Sequence, residues 1–280
     1  MNYLWLKIKK NYGKFLAGSF LGVIFLLGTI HIYNKPHRLE INFFDVGQGD
    51  ASLIKTPSNR FILIDGGPDN RILRRLGDNL PFYRRRIDYL ILSHYHEDHV
   101  VGLVEILKRY QVKNFIYAPS ALESPAFVEL LDAAQKSSVA VLALKNTARI
   151  SYGDNCYLNL LNPAILEIKA DDNNSLIAKL DCRDKKVLFS GDNSSTVEKI
   201  LLNTGWDVSA DVFKASHHGS KSANSETFLS TVNPKLIVIS VGADNRFGHP
   251  SVEIIDRIES LDIRVERTDK MGNIQIFSEL

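Results

Sequence analysis

The amino-acid sequence predicts an α/β protein of two packed mixed sheets with helices on their outer faces, preceded by one N-terminal transmembrane helix. After residue 36, short runs rich in Ile, Val, Leu and Phe alternate with amphipathic helical patterns. The early strands come with little helix and the later ones alternate with helices, which favours two sheets packed face to face. Residues 15–33 lack any charged group, and their length matches the roughly 20 residues that cross a bilayer as a helix.

The positions of the strands and helices follow from these patterns. Strands are predicted at residues 39–46, 51–57, 60–65, 88–93, 114–118, 138–144, 156–162, 175–181, 186–190, 211–215, 235–241 and 273–278. Helices are predicted at residues 97–109, 124–136, 195–203, 223–231 and 251–260. Since no linker-like stretch interrupts this part of the chain, residues 36–280 are expected to form one domain.

The N-terminal segment, residues 1–35, is predicted to anchor the chain in the cell membrane. Lysines precede the apolar run, and the positive-inside rule then leaves the N-terminus in the cytoplasm and residues 36–280 on the extracytoplasmic side. A cleaved signal peptide is the alternative, but the apolar run is longer than a usual signal-peptide core and no small-x-small cleavage site follows it. The expectation is a single-pass protein with its folded domain outside the cytoplasm.

Charge and cysteine content exclude three classes of protein. Residues 1–35 hold five lysines and no acid, so the remaining chain carries 29 basic and 32 acidic residues, a net charge of −3. A globally basic surface that coats nucleic acid is therefore excluded. The two cysteines, Cys156 and Cys182, cannot build a disulfide framework, and neither lies in a zinc-finger spacing. Any metal must be held by histidines and carboxylates.

A cluster of metal-ligand residue types follows the predicted strand 88–93. His94 and His96 are alternate residues of an extended segment and therefore point the same way. Asp98 and His99 fall in the first turn of the next helix and are aimed at a different point, which can be a second metal. This density of histidines is the strongest functional signal in the sequence, and a chance histidine-rich surface turn is the less favoured interpretation.

Two distant strand ends offer the remaining ligands. Asp192 ends the run KVLFSGD, and the pair His217 and His218 follows the run DVFKAS. Each signal alone is weak, because an aspartate at a strand end is often only a turn former. Together with the first cluster they complete a dinuclear site, in which two metals about 3.5–4 Å apart activate a water and stabilise the attacking and leaving oxygens.

These motifs carry a family resemblance over essentially residues 39–280. SHYHEDH matches the HxHxDH signature of the metallo-β-lactamase superfamily, and LIDGG, FSGD and SHHGS occur in that superfamily's order. With FFDVGQGDASLI, NNSLI, FKASHHGSKSANSETFL and ISVGADNRFGHPS, the chain is similar to the C-terminal hydrolase domain of the competence (DNA-uptake) proteins of the ComEC family and to its stand-alone relatives. The resemblance implies the metallo-β-lactamase αββα sandwich.

The resemblance also implies a role for each ligand candidate. His94 and His96 match the ligands of the first metal, and Asp98 and His99 match those of the second. Two further residues complete the implied ligand set: the bridging carboxylate Asp192 and the last ligand His218. His218 is preferred to His217 because the superfamily's ligand commonly precedes Gly or Asp, and His217 is then a substrate-side residue. Asp65 in LIDGG matches a buried structural aspartate.

The sequence departs from the family pattern at two points. Many of the DNA-uptake proteins have Asp at the second signature position, whereas His96 gives the general superfamily form. The third histidine of the first site in β-lactamases and lactonases has no counterpart, and Asn174 lies where it is expected. Asn174 is interpreted as a residue that approaches the metal or binds substrate, and the pattern argues against a β-lactam substrate.

Polar residues near these motifs are candidates for substrate binding. Gln48 lies in a glycine-containing loop whose amides can approach an anion, although a plain hairpin turn explains the glycines equally well. Ser216 and Ser220 offer hydroxyl donors of the kind that bind phosphate oxygens. His249 can protonate a leaving alkoxide or bind phosphate, and the alternative is a helix-entry turn. Six arginines between residues 71 and 86 either follow a nucleic-acid backbone or simply face solvent.

The sequence and the resemblance together predict a metal-dependent hydrolase that cleaves phosphodiester bonds by a metal-bridging hydroxide. Asp98 and Asp192 set the position of that hydroxide, His249 assists, and the cofactors are two divalent ions, zinc or manganese. DNA is the substrate that the resemblance suggests first. The alternatives are a surface phosphoesterase for a small substrate and a non-catalytic DNA-uptake accessory module. No protein partner follows from the sequence.

The two cysteines are also predicted to face each other. If strands 156–163 and 175–182 pair in antiparallel fashion with Leu161 opposite Ile177, then Cys156 falls opposite Cys182. A disulfide between them is favoured outside the cytoplasm.

Overall fold

The computed structural model describes residues 18–28, 38–81, 84–120, 124–166 and 175–278. The chain divides into two compact units, residues 1–37 and 38–280. In the first unit, residues 18–28 form helix α1, and the other residues of the predicted span 15–33 lie outside the described residues. Among the residues that are described, no helix is both long and apolar enough to cross a membrane.

The second unit contains two seven-stranded mixed sheets, and this confirms the predicted two-sheet α/β architecture. The first sheet has the order β14-β1-β2-β3-β4-β5-β6 and the second the order β13-β12-β11-β10-β9-β8-β7. The strands are β1 (Glu40–Phe43), β2 (Ser52–Lys55), β3 (Phe61–Ile64), β4 (Arg86–Leu92), β5 (Gln111–Tyr117), β6 (Ala140–Ala143), β7 (Thr147–Gly153), β8 (Cys156–Leu161), β9 (Ile177–Cys182), β10 (Lys185–Phe189), β11 (Val212–Lys214), β12 (Leu236–Ile239), β13 (Arg264–Arg267) and β14 (Ile274–Phe277).

Helices cover the outer faces of both sheets. They are α2 (Arg71–Asn79), α3 (Glu97–Arg109), α4 (Pro125–Lys136), α5 (Ser195–Asn203), α6 (Glu226–Val232), α7 (Val252–Ser260) and the short α8 (Thr268–Met271). Single turns of 3₁₀ helix occur at Pro163–Leu166 and Ser216–Gly219. Helix α6 begins later than predicted because the Ser225 hydroxyl accepts a hydrogen bond from the Phe228 amide and caps it there.

Each central strand is buried on both faces, which explains its nearly continuous apolar sequence. In β3, Phe61 and Leu63 pack under the helices of the first sheet. The alternate residues Ile62 and Ile64 pack between the two sheets. A third apolar cluster lies between the second sheet and helices α5 to α7. Three stacked cores of this kind define a helix-sheet-sheet-helix sandwich.

Four elements were not predicted, namely helices α2 and α8 and strands β7 and β13, and each has few buried residues. In β7 only Tyr152 is buried, and β13 is a charge-rich edge strand in which no residue is fully buried. Helix α2 fully buries only Ile72 and Leu76, with Leu73 partly buried beside them, and its arginines resembled a solvated loop. Edge elements of this kind carry little of the hydrophobic periodicity on which sequence-based assignment depends.

The predicted cysteine pairing is confirmed. Strands β8 and β9 are antiparallel with Leu161 opposite Ile177, and this register places Cys156 opposite Cys182. The two sulfurs form a disulfide, and both residues are fully buried between the sheets.

Glycines let helix α3 approach the loop that follows β3. A Cβ atom on Gly102 would collide with the carbonyl oxygen of Gly66 and would lie 2.9 Å from Cγ2 of Ile72. The Gly102 amide donates to the Gly67 carbonyl at 3.0 Å, and the Gly66 amide donates to the His99 carbonyl at 2.9 Å. This close contact fixes the start of α3, where Asp98 and His99 lie.

Gly102→Ala is therefore expected to lower the free energy of unfolding by about 1–3 kcal/mol, because the added methyl group forces the helix and the loop apart. Urea denaturation of the full chain measures the change. Gly77→Ala is the matched control, since Gly77 also lies in a helix and has open space around its Cα. Gly77→Ala is expected to leave the free energy of unfolding unchanged or to raise it by up to about 1 kcal/mol. Equal stability of the two variants would contradict the role assigned to Gly102.

Candidate metal centre

Three strand ends supply the candidate ligands. Strand β4 of the first sheet leads into His94, and β10 of the second sheet leads into Asp192. Strand β11, which is parallel to β10, leads into the turn that carries His218. His218 and His217 both have left-handed backbone angles, with φ of 53° and 49°. The centre therefore joins the two sheets.

The structure brings together all six residues predicted as metal ligands. Their ligand atoms include two groups, each within 4.8 Å: His94, His96 and Asp192 in one, and Asp98, His99 and His218 in the other. Asp50 also lies within that distance of Asp192 and His218. Asp192 lies between the groups, because its carboxylate oxygens are 3.6 Å from Nε2 of His94, 3.6 Å from Nε2 of His99 and 3.7 Å from Nε2 of His218. Within the second group, Oδ2 of Asp98 lies 3.2 Å from Nε2 of His218.

Outer partners turn the Nε2 atoms of three histidines toward this space. Nδ1 of His99 lies 2.9 Å from Oδ2 of Asp65, and the Ser93 amide donates to the other oxygen of Asp65 at 2.8 Å. Nδ1 of His218 lies 3.0 Å from the Ser240 carbonyl, and Nδ1 of His94 lies 3.1 Å from the Ser93 hydroxyl. Such contacts fix the tautomer and ring orientation of metal-binding histidines. Asp65 thus has the supporting position that the family resemblance implies.

The donor set fits a divalent cation. Nε2 of His94, Nε2 of His99 and Oδ1 of Asp192 are buried, and no hydrogen-bond partner for them exists within the described part of the chain. Buried polar atoms are almost always paired in folded proteins, and a bound ion would satisfy all three. Imidazoles mixed with carboxylates are ligands that zinc and manganese both accept.

The pKa shifts of the site residues also fit a bound cation. Burial opposes ionisation of both carboxylates, yet the neighbouring histidines hold the pKa of Asp192 well below its usual value and that of Asp98 at about 2. Burial also opposes the charged forms of His99 and His218, but the carboxylates, Asp192 foremost, raise the pKa of His99 well above normal and that of His218 to about 10. In the absence of a cation, protons on these histidines balance the carboxylates, and metal binding would displace them.

A buried ion pair beneath the second ligand group was missed by the sequence analysis. Nζ of Lys214 lies 2.6 Å from Oδ2 of Asp50, and both side chains are buried. The other oxygen of Asp50 lies 3.3 Å from Nδ1 of His218. The available signal was a lysine between apolar residues, after Val212 and Phe213 and before Ala215, since a lysine buried in such a strand needs an acidic partner.

The predicted substrate-side residues have different positions. Gln48 is at the rim, where its Oε1 accepts from the Gly242 amide at 3.3 Å. His217 is 27% exposed, with Nε2 3.9 Å from Oδ2 of Asp192, and the ring of the half-buried His249 lies 5.6 Å from that of His217. Ser216 is fully buried and shares a hydrogen bond with Ser190, so its hydroxyl faces the protein interior.

Two more predicted substrate-binding residues remain. The hydroxyl of Ser220 lies 3.0 Å from that of Ser222, and the side chain is almost completely buried just after the His218 turn. Asn174, the residue expected near the first group of ligands, lies outside the described residues.

The arginine cluster is largely matched by acids. Five of its six arginines form ion pairs, namely Arg71 with Asp69, Arg74 with Asp78, Arg75 with Asp45, and both Arg84 and Arg86 with Asp88. These pairs reduce the positive charge available to a nucleic-acid backbone at this surface.

Comparison with known proteins defines the class to which this fold and site belong. The profile of the Metallo-beta-lactamase superfamily matches residues 44–242, which include all six ligand candidates. The chain belongs to the metallo-β-lactamase superfamily. Its helix-sheet-sheet-helix sandwich and its histidine and aspartate cluster are the fold and the candidate metal-binding site of this hydrolase superfamily.

Within that superfamily, the chain is similar to a protein named for competence, as the motif resemblance predicted: it is 27% identical over 239 residues to Competence protein ComA of Neisseria gonorrhoeae, and these residues make up 84% of this chain and 32% of that protein. It is 29% identical over 253 residues to ComE operon protein 3 of Bacillus subtilis (strain 168). The aligned residues make up 84% of this chain and 32% of that protein. It is 30% identical over 263 residues to Recombination protein 2 of Haemophilus influenzae, covering 91% and 31%. The chain thus spans about a third of the length of the curated relatives it matches.

A solved structure supports the fold. The metallo-β-lactamase fold protein YhfI from Bacillus subtilis aligns with a TM-score of 0.58, over 86% of this chain and 100% of that one. The sequence identity is 10%, so this likeness concerns the fold alone.

Proposed function

We propose that this chain is a metal-dependent phosphodiesterase whose substrate is DNA and whose centre holds two divalent ions, zinc or manganese. The observation that carries the proposal is the carboxylate of Asp192, which lies within 4 Å of histidine nitrogens from both ligand groups. Divalent ions bound there supply a Lewis acid and a water nucleophile of lowered pKa. Asp98 and Asp192, whose pKa values are low, hold their negative charge over the physiological pH range.

The open side of the centre suits a polymeric substrate. His96 is exposed, and the side chains of Asp98 and His217 are 28% and 27% exposed. Burial lowers the pKa of both His217 and His249, which favours their neutral forms, and a neutral imidazole offers one donor nitrogen and one acceptor nitrogen. A phosphate oxygen or a leaving alkoxide can take a hydrogen bond from either ring.

DNA is proposed as the substrate because the chain resembles DNA-uptake proteins and a recombination protein is among its relatives. The locally neutralised arginine cluster favours a second candidate, a surface phosphoesterase for small substrates. A non-catalytic accessory module is the third, and the complete set of six ligand candidates argues against it.

Cleavage assays on the full chain separate these candidates. The protein is incubated with single-stranded DNA, duplex DNA and a small phosphodiester, in manganese or in zinc, beside the Asp98→Ala variant. We expect DNA cleavage that the variant loses, because Asp98 belongs to the second ligand group. Cleavage of the small diester alone would overturn DNA as the substrate. No cleavage of any of them, with metal bound, would overturn the proposed phosphodiesterase.

We also propose that residues 15–33 anchor the chain and that the metal centre lies on the extracytoplasmic side of the cell membrane. The buried disulfide of Cys156 and Cys182 supports this side, because disulfides persist in oxidising compartments. Protein purified without reductant is expected to gain the mass of two hydrogens on reduction. Protease added to spheroplasts is expected to digest the metal-centre domain. An unchanged mass together with full protection from the protease would contradict the assigned side.

A further inference from the structure

An exposed aromatic ring borders the open side of the metal centre. Phe247 lies in the loop between β12 and α7, and the residue is 57% exposed. Its ring stacks on the ring of His249, with centroids 5.9 Å apart and planes 26° apart. The His249 ring in turn meets the His217 ring edge-on, with centroids 5.6 Å apart.

These rings form a series that leads from the ligands to solvent. His218, a ligand candidate, is buried, and the ring of His217 lies 6.3 Å from it. His217 and His249 are half-buried, and Phe247 ends the series with one face on His249. Phe247 is therefore connected to His217 through the ring of His249. Nε2 of His217 lies 3.9 Å from Oδ2 of Asp192.

The loop that carries Phe247 is braced at both ends. The side-chain amide of Asn245 donates to the carbonyls of Gly242 and His249 at 2.9 and 2.7 Å, and its oxygen accepts from the His249 amide at 2.9 Å. A single exposed apolar side chain is common on protein surfaces. Phe247 is distinguished by this bracing and by the guanidinium of Arg246, which lies over the ring at 5.3 Å from its centroid. The aromatic ring is thus exposed to solvent and has a positively charged group over it.

We infer that Phe247 is a stacking platform for an unpaired nucleobase, so that the preferred substrate of the site is single-stranded nucleic acid. Proteins that bind single strands combine aromatic rings, on which bases stack, with nearby basic side chains. Arg246 supplies the basic side chain here. In a duplex, each base is already stacked between its neighbours and cannot use the face of Phe247. The inference rests on the proposed function, because it takes the metal centre to be the place where the backbone phosphate lies.

Binding of a fluorescent oligothymidine to the full chain tests this inference. All proteins carry Asp98→Ala, so that the strand stays intact during the measurement. Phe247→Ala is expected to raise the Kd at least about fivefold, the lower end of the effect of removing one base–aromatic stack. Phe247→Trp is expected to preserve the affinity. An abasic strand of the same length is expected to bind all of these proteins equally.

Leu142→Ala is the matched control, because Leu142 is similarly exposed but lies in the edge strand β6. This control is expected to leave the Kd unchanged. The inference is overturned if Phe247→Ala binds oligothymidine as tightly as its parent, or if the parent binds no oligothymidine. It is also overturned if Phe247→Ala raises the Kd for the abasic strand as much as the Kd for oligothymidine. Failure of the proposed function is a separate result, namely absence of cleavage by the chain with Asp98 intact.

Discussion

Asp192→Asn is expected to lower metal-dependent phosphodiester cleavage by the full chain at least about 100-fold, the upper end of the effect of removing a residue that only supports a metal ligand. Asparagine has nearly the same shape but lacks the negative charge. Because the carboxylate of Asp192 lies between the two ligand groups, its loss weakens both of them. Initial rates at saturating manganese or zinc measure the effect.

The matched control is Asp78→Asn, which removes one carboxylate from the exposed surface of helix α2. This variant is expected to cleave at the rate of the unsubstituted chain. Far-ultraviolet circular dichroism shows whether both variants are folded. A folded Asp192→Asn protein with undiminished cleavage would remove Asp192 from the metal centre.

Lys214→Met is expected to lower the free energy of unfolding by about 3–5 kcal/mol, because it leaves the buried carboxylate of Asp50 without its cation. The ammonium group of Lys214 also donates to the Ala215 carbonyl at 2.9 Å, and that contact is lost as well. Urea denaturation of the full chain measures the change.

Two comparisons isolate the charge effect. The double variant Lys214→Met with Asp50→Leu removes both charges, and it is expected to recover most of the lost stability because apolar side chains of similar size can replace a buried pair. Lys235→Met breaks the exposed pair with Asp211 and is expected to cost at most about 1 kcal/mol. If Lys214→Met lowered the free energy of unfolding no more than Lys235→Met does, the Asp50 carboxylate would not need the Lys214 ammonium group.

The architecture was predictable because the central strands have an unambiguous apolar pattern. Strands such as β3 are buried on both faces, and helices such as α3 present one apolar face at the expected period. The same reasoning failed for β7, β13 and α2, which lie at edges or on the outer surface and bury few side chains. The pairing of Cys156 with Cys182 was recovered because the assumed register, with Leu161 opposite Ile177, is the one that the structure contains.

The clustering of the ligand candidates was predictable because histidines and carboxylates at strand ends were considered together with the motif order of the resembled family. Their supporting contacts were less accessible. The pair of Asp50 and Lys214 joins residues far apart in sequence, and only the packing of the two sheets brings them together. Ser216 shows that nearness in sequence can also mislead. It directly precedes His217 and His218 in the chain, but its hydroxyl faces the interior toward Ser190. Phe247 became informative only when its contacts with His249 and Arg246 were seen.

The central claim, that the histidine and aspartate cluster is a dinuclear metal centre, is tested most directly by counting the ions bound to each chain. The full chain is stripped with a chelator, reloaded with manganese or zinc, separated from free metal and analysed by elemental mass spectrometry. The two ligand groups predict about two ions per chain, and the Asp192→Asn variant is expected to hold fewer. A folded chain that retains no ion after reloading with either metal would contradict the account.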